Sequence, residues 1–142
     1  MEVSHVRRRL QQAIAAARER AQARRQTNAD AERAYQMFLT DVATPLARQL
    51  ANTLKVEGYA FTLFTPGDSL RLAADRGRDD FVSIALDVSG DRPQVVGRIS
   101  RTRGSRTIDE ERPIKDGALP DALTEEDVLE FLVSALEPWL ER

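Results

Sequence analysis

Only a few side chains in this sequence are of the types that carry proton-transfer or metal chemistry. His5 is the single histidine, and the chain has no cysteine. Zinc sites in proteins normally draw on cysteine or on several histidines. His5 also lies among residues expected to fray, where a catalytic side chain is not held in place. We therefore predict no catalytic histidine, no metal and no cofactor.

Motifs that cradle nucleotide phosphates are also absent. The sequence contains neither Gly-x-x-x-x-Gly-Lys-Ser/Thr nor Gly-x-Gly-x-x-Gly. Lys55 and Lys115 are the only lysines, and neither has a neighbouring motif that would support a Schiff base or a Ser-Lys mechanism. These absences favour a protein that is not an enzyme.

Carboxylates are numerous in the middle of the chain and allow two interpretations. They could converge on Mg²⁺ or Ca²⁺, since hard cations take oxygen ligands. Their spacing matches no EF-hand, however, and most lie where hairpin turns use aspartate for local hydrogen bonds. We prefer the turn interpretation for this set, which comprises Asp75, Asp79, Asp80, Asp87, Asp91, Asp109, Glu110 and Glu111.

Arginine supplies nineteen of the twenty-one basic residues, and many of the arginines fall in two clusters. Both clusters could neutralise phosphates, or they could be a solvated helix face and a charged edge strand that resists aggregation. Neither cluster contains an aromatic residue for stacking on bases, and the isoelectric point is about 5.5, so the second interpretation is preferred. The clusters are Arg7, Arg8, Arg9, Arg18, Arg20, Arg24 and Arg25, and then Arg98, Arg101, Arg103 and Arg106.

A very long helix is predicted from Val3 to about Val56, because this stretch has no glycine, one proline and many strong helix formers. Apolar residues recur at alternating spacings of four and three, which indicates a coiled-coil seam. A polar asparagine within such a seam can fix its register. The predicted oligomerisation residues are Leu10, Ile14, Ala17, Ala21 and Asn28.

Pro45 interrupts this pattern, because proline lacks the backbone N–H and its ring clashes with the preceding turn. We expect a kink there, or a restart with Thr44 as the N-cap. A heavier apolar stripe around this point is predicted to cover a sheet. Its members are Tyr35, Phe38, Leu39, Val42, Leu46, Leu50 and Leu54.

The remainder of the chain predicts a four-stranded antiparallel β-meander and a C-terminal helix packed on one sheet face. Alternating apolar residues separated by turn-forming residues indicate strands at 59–65, 69–74, 81–88 and 94–102. Thr124 and Asp127 form a capping-box variant ahead of an apolar helical pattern. The fold class is therefore α+β.

Length then separates the chain into two parts. A helix of about 54 residues spans roughly 80 Å, whereas a compact chain of this size has a diameter under about 40 Å. Either the helix folds back near Asn28, or its first half projects and buries its stripe on another chain. We prefer projection, with residues 1–30 as a basic oligomerisation segment and 31–142 as a single α+β domain.

The preferred function is a non-catalytic protein–protein interaction or adaptor protein that self-associates, as a homodimer, through the long N-terminal helix, or docks on another protein. The alternative is a nucleic-acid-associated protein that uses the Arg-rich helix and strand. No apolar run approaches the roughly 18 residues of a membrane span, so a cytoplasmic location and no membrane partner are expected.

Overall fold

The computed structural model describes residues 1–141 and has an α+β fold. A long helical region comes first, an antiparallel sheet follows, and another helix packs on the sheet, which confirms the predicted fold class. The bounds are α1 Val3–Phe38, a π-helical segment Leu39–Ala43, α2 Thr44–Val56, β1 Phe61–Phe64, β2 Leu70–Ala74, β3 Phe81–Asp87, β4 Gln94–Arg103, β5 Arg106–Pro113, a 3-10 turn Pro120–Ala122 and α3 Glu125–Leu140.

Two compact units divide the chain, one from Met1 to Asp30 and one that begins at Ala31. Helix α1 is uninterrupted from Val3 to Phe38. The hydroxyl of Thr27 donates to the carbonyl of Ala23, 3.0 Å away, as helical threonines do, instead of capping a new helix. No turn therefore forms near Asn28.

The helical region changes geometry just before Pro45. Residues Leu39–Ala43 form a π-helical segment, the wider turn that accommodates a residue which does not fit the regular helical ladder. Pro45 has no N–H to offer the carbonyl four residues earlier. The predicted kink is confirmed in this form. Thr44 has helical dihedral angles, φ −67° and ψ −46°, so its predicted alternative role as an N-cap is wrong.

The π-helical segment also changes which side chains reach the core. From Val42 onward the buried residues are Ala43, Ala47, Ala51 and Leu54, whereas the larger Val42, Leu46 and Leu50 are half-buried and pack against the core. The residues of the predicted stripe all face the core: Tyr35, Phe38, Leu39 and Leu54 are buried within it, and the three residues between them pack at its edge. Alanines allow α2 to lie close to the sheet.

The sheet has five strands rather than the four predicted, in the order β1-β2-β3-β4-β5, and every neighbouring pair is antiparallel. The additional strand is β5, which pairs with β4 through a tight hairpin at Gly104. It was missed because none of its side chains is fully buried. A strand at the sheet edge needs no apolar alternation.

One sheet face carries the core. Leu72, Val82 and Ile99 lie opposite one another on adjacent strands and are buried. Helix α3 covers this face, as predicted, and the ring of Trp139 meets that of Phe61 edge to face at 5.7 Å between centroids. The capping box of α3 is present, with the amide N–H of Asp127 donating to Thr124 Oγ1 at 3.2 Å.

Candidate interaction surfaces

The first 30 residues form a helical unit with an exposed apolar stripe. Val3, Val6, Leu10 and Ile14 are 75%, 49%, 58% and 41% exposed. Because successive residues of an α-helix are about 100° apart, these four side chains share one face. We name them the N-terminal stripe. Ala17 continues that face and is exposed, and Ala21 and Asn28 further along it are partly buried.

Arginine side chains border the N-terminal stripe. By helical spacing Arg7 and Arg9 flank it on its two sides, and Arg8 lies on the opposite face. Residues 1–30 carry seven arginines against three acidic residues. The stripe is therefore an apolar strip within a strongly basic helix.

A shallow apolar groove occurs in the second unit, between the helical region and the 3-10 turn. Its volume is about 260 Å³, and Met37 on its rim is 66% exposed. Two exposed carboxylates belong to its lining, Asp41 from the π-helical segment and Asp121 from the 3-10 turn. We name it the acidic groove. Its lining residues are Ala34, Met37, Phe38, Asp41, Val42, Pro120, Asp121 and Leu123.

The four predicted phosphate-binding arginines of the strand region do not share one face. In β4, alternation places Arg98 on the face opposite the helices, and it places Arg101 and Arg103 on the other face. Arg106 of β5 lies directly opposite Arg103. The structure therefore brings together Arg101, Arg103 and Arg106 at one end of the hairpin and separates Arg98 from them.

Arg98 is engaged by a carboxylate. Its Nε and Nη2 atoms donate to the two oxygens of Asp109 at 2.9 and 2.5 Å. The hydrogen bond from Arg98 and its charge hold the pKa of Asp109 below its usual value. Arg98 is thus part of an exposed ion pair on the sheet surface.

An aromatic side chain does lie beside arginines on this open sheet face. The guanidinium carbon of Arg71 is 4.0 Å from the ring centroid of Phe81, and that of Arg98 is 5.6 Å away. Cation–π contacts of this kind stabilise by roughly 0.5–1 kcal/mol at exposed sites. The sequence pattern did not indicate them, because they depend on the register of three strands.

Of the carboxylates assigned to turns, Asp87 makes a local hydrogen bond, whereas Asp75 and Asp80 accept hydrogen bonds from residues distant in the sequence. Asp87 accepts from the N–H of Ser89 at 2.9 Å, Asp75 accepts from Thr62 Oγ1 at 2.6 Å, and Asp80 accepts from the N–H of Thr102 at 2.6 Å. Within residues 1–141 no three histidine, cysteine, aspartate or glutamate side chains group as a metal site would require. His5 lies exposed in α1.

Comparisons with known proteins give no match to a family model, to a curated protein or to a solved structure. In the described part of the chain, every helix is too short or too polar to cross a bilayer.

Proposed function

We propose that this chain is a non-catalytic protein–protein interaction protein that self-associates through its long N-terminal helix. The observation that carries the proposal is the N-terminal stripe, Val3, Val6, Leu10 and Ile14, exposed along one helix face. Single exposed apolar residues are ordinary on protein surfaces, but a contiguous apolar strip with a polar rim is typical of an interaction site. The second copy of this chain is the proposed partner.

The heptad positions support a helical partner. Leu10 and Ile14, four residues apart, fit the d position of one heptad and the a position of the next, and Asn28 falls two heptads after Ile14. This combination of leucine, isoleucine and a single asparagine is typical of paired helices with a fixed register. A different protein that presents an apolar helix is the alternative partner.

The size of the stripe sets the affinity to expect. Full burial of an aliphatic side chain contributes about 1.5–3 kcal/mol. Four side chains from each of two copies give about 12–24 kcal/mol on full burial, against an association cost of about 4–15 kcal/mol. The middles of these two ranges differ by about 8 kcal/mol, which corresponds to a dissociation constant of about 1 μM. Dimer formation should therefore depend on protein concentration in the micromolar range.

The test replaces two stripe residues in the full chain. Leu10→Glu with Ile14→Glu places two carboxylates on the apolar face, and glutamate is nearly as good a helix former as leucine. Gln11→Glu with Gln12→Glu is the matched control, because it adds the same charge on the polar side of the same turn. Sedimentation velocity over a concentration series should show a dimer for the control and a monomer for the stripe variant.

Two outcomes would contradict the proposal. In one, both variants remain dimeric; in the other, both variants and the unmodified chain are monomeric. In the latter case the stripe would have to serve another protein.

Nucleic-acid binding is the second candidate, and one observation favours it. Arg103 and Arg106 are exposed and directly opposite each other in the β4–β5 register, with Arg101 on the same side. Like charges directly opposite each other destabilise a strand pair, and an anion bound between them would relieve that repulsion. Phosphate oxygens are the natural ligand for such a group.

A further inference from the structure

Among the surfaces of the second unit, the acidic groove has the properties that the N-terminal stripe needs in a partner. It is apolar at its floor, where Phe38, Pro120 and Leu123 are buried, and it has an exposed methionine, Met37, on its rim. Methionine side chains adapt to varied partners and are common at docking surfaces. The groove is shallow enough to receive side chains of an amphipathic helix.

Charge distinguishes the groove from other surfaces. Asp41 and Asp121 come from two different elements that line it. Residues 118–142 contain seven acidic residues and one basic residue, whereas in residues 1–18 Glu2 is the only acidic residue and there are four arginines. Complementary charges of this kind select partners and fix their register.

We infer that the N-terminal helix of one copy docks in the acidic groove of a second copy, and that the two copies exchange these helices reciprocally. This inference rests on the proposed self-association and refines it: the helix that the stripe contacts is the α1 wall of the acidic groove, formed by Ala34, Met37 and Phe38, and not the N-terminal stripe of the second copy. Val3, Val6 and Leu10 are spaced i, i+3 and i+7, the pattern by which an amphipathic helix lies in an apolar groove. Arg7 and Arg9, which flank the stripe, meet Asp41 and Asp121.

Reciprocity follows from closure. A contact between two different surfaces repeats without end unless the symmetry closes it. A defined dimer therefore requires each copy to donate its helix and to accept that of the other copy.

The test reverses the charges separately. Asp41→Arg with Asp121→Arg reverses the groove, and Arg7→Glu with Arg9→Glu reverses the helix. Each variant alone should have a dimer dissociation constant raised about tenfold, since exposed ion pairs are individually weak and reversal turns each attraction into a repulsion. An equimolar mixture of the two variants restores both contacts and should dimerise within about threefold of the unmodified chain.

Control variants separate the groove from general charge effects. Asp91→Arg with Asp116→Arg makes the same charge change at two exposed positions outside the acidic groove, and should leave the dissociation constant unchanged. If circular dichroism shows that the groove reversal unfolds the chain, the neutral pair Asp41→Asn with Asp121→Asn replaces it. A rise of about threefold in the dimer dissociation constant is then expected.

Two results would overturn the inference. In the first, the groove variant and the helix variant each dimerise as the unmodified chain does, while Leu10→Glu with Ile14→Glu is monomeric. Self-association then holds, but the acceptor is another surface. The other is weakened variants that the mixture fails to restore. A monomeric unmodified chain would overturn both the inference and the proposed function, and the starting measurement shows it before any variant is made.

Discussion

The ring of Phe131 on α3 lies directly over Gly97 of β4, so close that a Cβ at position 97 would overlap the ring. Gly97 is buried between Val95 and Ile99 on the helix-facing side of the sheet. The absent side chain is what lets α3 approach β4. This contact joins the sheet to the last helix of the fold.

Gly97→Ala should therefore destabilise the fold, because the added methyl group must displace either the ring or the helix. Overpacking of a core typically costs about 1–3 kcal/mol. The measurement is urea unfolding followed by circular dichroism. Gly90→Ala is the matched control, because nothing lies within 4 Å of a Cβ there, and it should change the unfolding free energy by less than about 0.5 kcal/mol. Equal stability of the two variants would contradict the packing described.

Tyr35 gives a prediction for alkaline solution. Its hydroxyl donates to the carbonyl of Asp68 at 2.6 Å, and burial, with a smaller effect of the Asp68 charge, raises its pKa above the usual value of about 10. The folded chain thus keeps this proton at pH values where the unfolded chain loses it. The contribution of Tyr35 to stability is complete below about pH 10 and is lost as pH rises through the folded pKa.

Tyr35→Phe removes that titration, so its unfolding free energy should fall less between pH 9 and pH 11 than that of the unmodified chain. Tyr59→Phe is the control, because its hydroxyl makes only an exposed hydrogen bond to the Leu140 carbonyl at 3.4 Å. Parallel pH profiles for the unmodified chain and Tyr35→Phe would be evidence against a buried phenol.

The Arg98–Asp109 pair should contribute little to stability. Both side chains are nearly half exposed, and exposed pairs contribute about 0.2–1 kcal/mol. A double-mutant cycle with Arg98→Gln and Asp109→Asn should give a coupling energy in that range. Because the pKa of Asp109 is lowered, its contribution is present above about pH 4 and is lost as pH falls. An NMR titration of Asp109 should move to higher pH in Arg98→Gln; an unchanged titration would argue against the pair.

The nucleic-acid alternative makes a separate prediction. If Arg101, Arg103 and Arg106 contact phosphates, binding of a labelled single-stranded DNA should weaken steeply as salt rises. The triple replacement by glutamine should remove the binding. Arg76→Gln with Arg78→Gln, at exposed positions of the β2–β3 loop, is the control. Absent or salt-insensitive binding of the unmodified chain would remove this alternative.

The sequence predicted the elements that bury a regular apolar pattern. Strand β3 alternates clearly through Val82, Ile84 and Leu86, and α3 has both a capping box and an apolar face. Strand β5 was not predicted, because it contacts one neighbour only and most of its residues are charged and exposed. Edge strands of this kind are held by backbone hydrogen bonds, which leave little trace in the residue pattern.

The π-helical segment was beyond prediction for a different reason. Pro45 indicates where the helix must depart from regular geometry, but a kink, a restart and a wider turn are all compatible with its missing N–H. The choice among them depends on which side chains then fit the sheet, and here Ala43 and Ala47 are fully buried while Val42 and Leu46 pack at the edge of the core. The acidic groove was missed likewise, because it joins residues about 80 positions apart.

Self-association is tested most directly by the light-scattering mass of the intact chain after gel filtration at low micromolar concentration, beside a chain that begins at residue 31. The truncated chain keeps every residue of the hydrophobic core and should give a folded monomer by circular dichroism. We expect about twice the monomer mass of 15.9 kDa for the intact chain. A monomer mass for the intact chain, or a dimer that survives the truncation, would contradict self-association through the N-terminal helix.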